Sequence, residues 1–136
     1  MKSRKAAATA LLAGAVIGGD AIAHHSFAIF TPDEVRTLRG RVAEFRWSNP
    51  HVALFVQLDG QNGREGIWSV ELTSPGNLKR VGWDRATLER GDLVEVKINP
   101  LRDGRRGGGF REVTLLESGE TKTASLIDIE RNLRAR

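Results

Sequence analysis

Hydrophobic positions along this chain fall into two regimes. Residues 6 to 18 are apolar except for Thr9 and follow the cations Lys2, Arg4 and Lys5. From residue 31 onward, short apolar segments alternate with turn residues. Thr31-Pro32-Asp33-Glu34 predicts a turn, with proline at its second position. Val35 to Trp47 is rich in β-formers and carries Gly40 in its middle, which predicts a long strand bent at that glycine. Ser48-Asn49-Pro50 predicts a tight turn. Val52, Leu54, Val56 and Leu58 then alternate with His51, Ala53, Phe55 and Gln57, the period of a half-buried strand. Asp59 to Gly63 closes a hairpin, and Ile67 to Leu72 forms a third strand with Trp68, Val70 and Leu72 on one face.

The period then changes. Ser74-Pro75 caps a short helix over Gly76 to Val81 that ends near Gly82. Leu88 to Asp92 turns into a fourth strand, Leu93 to Ile98, in which Val94, Val96 and Ile98 alternate. Asn99 to Gly109 holds Gly104, Gly107, Gly108 and Gly109 and reads as a loop. A last strand runs from Phe110 to Leu116, and a polar tail follows from Ser118, with a short helix expected over Leu126 to Leu133. No internal repeat is present. Three strands, a short helix and two strands, with a long bent first strand, predict an all-β OB-like fold: a small five-stranded Greek-key barrel. Other small barrels or sandwiches share the same pattern.

The opening residues alter the count of charge. A basic start, an apolar run and Ala21-Ile22-Ala23 have the form of a secretory signal peptide cut after Ala23. The expected organisation is therefore a signal over 1–23, a barrel domain over 24–117 and a tail over 118–136, in a periplasmic or secreted protein. A cut after Ala21 and an uncleaved anchor are the rival readings. The chain has 21 basic and 17 acidic residues. Loss of Lys2, Arg4, Lys5 and Asp20 leaves 18 and 16, a near balance that argues against a nucleic-acid partner. The apolar run is shorter than the roughly 20 residues that span a bilayer, so no transmembrane segment is expected in the mature chain. Cysteine is absent and the single methionine is Met1. Any metal must then be held by nitrogen and oxygen, which suits Cu(II) or another divalent transition metal over Cu(I).

Several runs of residues resemble a known family. They are His24-His25-Ser26-Phe27, Gly40-x-Val42, Glu44-Phe45-x-Trp47-Ser48-Asn49-Pro50-His51 and Ser74-Pro75-x-Asn77-Leu78. Gly82-Trp83, Gly91-Asp92 and Pro100-Leu101-x-Asp103-Gly104 continue the pattern. Together they resemble a family of small secreted bacterial proteins of unknown function, marked by the His-His-Ser-Phe start and a Trp-Ser/Thr-Asn-Pro-His motif. The resemblance runs from His24 to about Leu116. It implies an exported OB-like domain and names no activity.

Candidate chemistry lies in three places. A cut after Ala23 would expose a histidine whose α-amino and imidazole nitrogens chelate together, as in the histidine brace of copper proteins. His24, with His25 or His51, is the candidate metal set. Two considerations oppose it. Terminal residues are commonly free of contacts. If Phe27 to Phe30 folded back along the first strand, His24 would lie opposite Arg41, roughly 20 Å from His51 at 3.3 Å per residue. Trp47, Asn49 and His51 around one turn form a second candidate, an aromatic platform with polar groups for a small polar ligand. The alternative there is packing for Trp47 and turn geometry for Asn49-Pro50. Arg102, Arg105 and Arg106 form the third candidate, a basic loop beside the usual ligand face of an OB-fold, with a solvated hairpin as the bland reading.

Catalysis has little support. Glu44 and Glu71 read as strand-surface carboxylates, and no Gly-x-Ser-x-Gly, His-Glu-x-x-His or phosphate-loop motif occurs. The expected function is a non-catalytic exported binding protein for Cu(II) or a similar metal. The alternative is an OB-type module for a small polar ligand or an exported protein, with no metal.

Overall fold

The computed structural model describes residues 28–60 and 65–125. The expected helix over Leu126 to Leu133 and both N-terminal histidines fall outside those residues. The strands are β1 (Arg36–Arg46), β2 (Ala53–Asp59), β3 (Glu65–Glu71), β4 (Leu93–Pro100), β5 (Gly107–Leu115) and β6 (Thr121–Thr123), with one short helix, α1 (Pro75–Arg80), between β3 and β4. Their order in the sheet is β3-β2-β1-β4-β5-β6, and a further pairing of β3 with β5 closes the first five into a barrel. This is the expected OB-like barrel, with one extra strand.

Each strand follows its alternation. Leu54, Val56 and Leu58 of β2 point into the barrel beside Val70 and Trp68 of the adjacent β3, joined there by Leu38 and Val42 of β1 and Val94, Val96 and Ile98 of β4. Intervening side chains face outward, where Lys97 and Glu112 form a cross-strand ion pair at 2.8 Å. β1 serves both halves of the barrel. Arg36 to Arg41 pair with β4, whereas Gly40 to Arg46 pair with β2, with a register shift between Val42 and Glu44. Gly40 sits where the two pairings overlap. A Cβ there would lie 2.1 Å from the Gln57 carbonyl oxygen, so only glycine permits the overlap.

The helix forms where the sequence caps it. The Ser74 hydroxyl accepts from the Asn77 N–H at 3.3 Å, and Pro75 occupies the first turn, a position that needs no N–H donor. Leu78 is buried beneath the helix, and Trp83 beyond it meets the edge of Phe110 with ring centroids 5.4 Å apart. These residues close one end of the barrel.

The glycine-rich stretch departs from expectation. Asn99 to Gly109 is not one loop. β4 continues through Pro100, and β5 begins at Gly107, so the true turn is short. The three glycines lie between two neighbours rather than in solvent. Gly108 pairs with Pro100 of β4 on one side and Val70 of β3 on the other. A Cβ on Gly107 would approach the Ser69 carbonyl oxygen to 2.5 Å, and one on Gly108 would approach that of Asn99 to 2.3 Å. The polar tail also contributes to the sheet. Thr121 to Thr123 pair with β5 along the side that β3 leaves uncovered, and Ala124 behind them is buried.

The closure can be tested at one atom. Gly107→Ala places a methyl group against the Ser69 backbone of β3, which cannot move away without opening the barrel. Its urea midpoint should correspond to a loss of about 3 kcal/mol, against little change for Gly76→Ala in the first turn of α1. A Gly107→Ala protein as stable as the parent would refute the account of the closure.

Candidate functional site

The segment before β1 is fixed by one buried amide. Asn99, fully buried in β4, donates from Nδ2 to the carbonyls of Thr31, Pro32 and Glu34 at 3.2, 3.0 and 2.8 Å. Its Oδ1 accepts from Arg111 at 3.2 Å. An amide buried in this way holds its place only because its hydrogen bonds are made. Further bonds extend the strap. Thr31 N–H donates to Pro100 at 2.9 Å, Arg102 N–H to Ile29 at 2.9 Å, and Arg102 Nε to Phe30 at 2.8 Å. Phe30 is buried, with its ring over Gly109. The N-terminal segment therefore runs antiparallel to Leu101 rather than back along β1. Phe30 does not take the fold-back path along β1, and His24 itself lies outside the described residues.

His51 enters from the opposite wall. It follows the cis Asn49-Pro50 peptide and is anchored by its neighbour: Val52 N–H donates to Thr73 at 3.1 Å, and Leu72 N–H donates back to Val52 at 2.8 Å. Ala53 pairs with Glu71 in the β2–β3 ladder, which brings the His51 ring beside the outward Glu71 carboxylate. His51 Nδ1 donates to Glu71 Oε1. The pair is half-buried, with each side chain 31% exposed.

Glu71 also lines a cleft of about 330 Å³, together with Ile29, Phe30, Ser69, Leu101 and the loop between β4 and β5. That volume is at the lower end of small-molecule sites. The strap forms one wall and the His51–Glu71 pair borders another.

The remaining expected residues divide. Arg105 and Arg106 line the cleft, and Arg102 ties the strap. Arg105 also donates to Asp103 at 2.6 Å. The Asp103 carboxyl is held below its usual value, first by the Arg105 backbone N–H and then by its guanidinium. That staple is intact at neutral pH and is lost only as the pH falls through the depressed value. The Arg106 guanidinium lies over Gly66. Trp47 packs edge-on against Phe45 at 5.8 Å and against the core, and Asn49 is exposed on its turn. Of the turn's three candidates, only His51 is shown bonded to Glu71 at the cleft. Glu44 is ion-paired with Arg46, so the two strand carboxylates act separately. Sequence reasoning missed Glu71 as the histidine's partner and Asn99 as the organiser. The outward parity of Glu71 on its strand was the available signal for the first.

Among the described residues no group of three or more histidine, aspartate or glutamate side chains forms a ready metal cluster, and no helix is long and apolar enough to cross a membrane. Fold and cleft define a small OB-like barrel with a ligand-sized recess at its rim. The chain belongs to the DUF6152 family, a family of unknown function whose model matches residues 12–110. No curated protein and no solved structure matches it.

The strap yields a test. Asn99→Ala should cost roughly 2–3 kcal/mol, the penalty for orphaning buried partners. It should also strip hydrogen-exchange protection from the Thr31 and Arg102 amides while Val96 in β4 stays protected. Unchanged exchange at Thr31 would show that Asn99 does not hold the strap.

Proposed function

We propose that this protein is an exported, non-catalytic binding protein that holds Cu(II) or a similar divalent transition metal between its processed N-terminus and His51. One observation carries the reading. The strap is bonded to the barrel as far as Ile29 and borders the cleft that Glu71 lines, and Glu71 engages His51. His24 is five residues before Ile29, and five residues extended span up to roughly 17 Å. A leash of that length supports the reading that the new terminus reaches His51.

The chemistry of the pair supports the same reading. A carboxylate that accepts from one imidazole nitrogen fixes the tautomer and directs coordination through the other, here Nε2. The α-amine and imidazole of His24 would supply two further nitrogens, and His25 is the local alternative to His51. A three-nitrogen set without sulfur suits Cu(II), with nickel and zinc as weaker competitors. Signal cleavage after Ala23 and a periplasmic or secreted location belong to this proposal, because the amine exists only after the cut.

The test is a Cu(II) titration of protein beginning at His24, beside a version carrying one additional N-terminal methionine and a His51→Ala variant. The extension and the substitution should each weaken binding by roughly 100-fold or more, beyond the 10- to 100-fold typical of losing an outer-shell partner. Equal affinity in the native and extended proteins would rule out the terminal grip. Loss with the extension but not with His51→Ala would assign the third nitrogen to His25.

A further inference from the structure

The outer face of β1, β2 and β3 carries an aromatic ring that neither the barrel core nor the metal reading uses. Phe55 points away from the interior, between Glu44 of β1 and Ser69 of β3 in the ladder. Its ring is half-buried, and the Arg46 guanidinium lies over it at 4.8 Å from the centroid. Arg46 is itself exposed and makes paired hydrogen bonds to Glu44 at 2.9 and 3.0 Å. The small side chains of Ala53 and Ser69 flank the ring, Gln57 stands beside it, and Ile67 is 53% exposed on the neighbouring strand.

Three properties of this face select a ligand class. It offers a flat apolar ring over which lies the exposed Arg46 side chain, one that a ligand can displace. It places planar polar groups beside that surface, the Glu44 carboxylate and Gln57 amide, which accept and donate hydrogen bonds. Its outward charges nearly balance, with Arg39, Arg41 and Arg46 against Glu44, Asp59, Glu65 and Glu71, so it has no excess positive potential for a polyanion. The face is also continuous with the cleft, because Ser69 belongs to both. At about 4.8 Å between strands, Phe55 to Ser69 to Gly107 covers roughly 10 Å, the length of two linked pyranose rings.

We infer that this face binds a neutral oligosaccharide, with one sugar ring stacked on Phe55 in place of Arg46 and the next crossing Ser69 into the cleft. The apolar face of a pyranose covers the phenyl ring, and its equatorial hydroxyls meet the planar polar side chains around it. Arg46 competes with the sugar for the ring. The inference does not depend on a bound metal, and its test is run with a chelator present.

The experiment is isothermal titration of the mature protein with chitotetraose and cellotetraose, and with ten-residue oligothymidine as the polyanion. A neutral tetrasaccharide should bind with a Kd in the millimolar range or tighter. Phe55→Ala and Phe55→Leu should both weaken it about tenfold, the loss expected for one stacked ring. Phe55→Leu keeps the apolar volume and guards against a folding artefact. Arg46→Ala should tighten binding, which a purely structural role for Arg46 would not produce. Failure of both tetrasaccharides to bind, binding of oligothymidine alone, or binding unchanged by Phe55→Leu would each overturn the inference.

Discussion

The parallel contact between β3 and β5 is the constraint on which the rest of the molecule depends. It covers only Ser69 to Glu71 against Gly107 to Gly109, yet it turns an open sheet into a barrel and fixes the position of Glu71. Gly107 and Gly108 make it possible, because the backbones of Ser69 and Asn99 approach them closer than any Cβ would allow, and Gly109 lies under the Phe30 ring. Glycine in a strand normally weakens it. Here that cost is offset by the interior the closure completes, where Val70, Ile98 and Phe110 are fully buried.

The site is a consequence of that closure. With β3 held against β5, Arg105 and Arg106 of the loop between β4 and β5 line one cleft with Ser69 and Glu71. Asn99 then binds the N-terminal segment along the same rim, so that Phe30 fills the space above Gly109. Polar groups do the positioning and apolar groups seal it. A buried amide with several carbonyl partners has few alternative arrangements, which gives the strap a defined path over the barrel. The His51–Glu71 pair borders the same cleft through Glu71 and owes its geometry to the β2–β3 register.

Local patterns in the sequence were enough for the barrel. The alternation from Val52 to Leu58, the outward and inward positions around Trp68 and the Ser74 cap all act within a few residues, and each appears where expected; the irregularity of β1 falls between Val42 and Glu44 rather than at Gly40. The run Gly107 to Gly109 was misread because a glycine in a loop and a glycine under a crossing backbone look alike in sequence. Only the neighbours distinguish them, and those neighbours are Asn99 and Ser69. The path of the N-terminal segment was equally illegible. It depends on Asn99 bonding to carbonyls 65 to 68 residues away, and nothing near Phe30 announces that partner. His51 was identified as chemically important, whereas its dependence on Glu71 required the strand register. Trp47 looked like a platform because aromatic residues beside turns often are, but Phe45 and the core occupy it.

The central claim is that the processed terminus and His51 meet on one metal ion, and the His51 ring nitrogens report it most directly. Long-range nitrogen–proton spectra of the protein beginning at His24 should show Nδ1 carrying the proton, as its bond to Glu71 requires. One equivalent of Zn(II), a diamagnetic stand-in for Cu(II), should then shift the Nε2 resonance. The same addition to protein with an extra N-terminal methionine should leave Nε2 largely unmoved. A His51 ring protonated on Nε2, or an Nε2 resonance indifferent to metal in the native protein, would contradict the account.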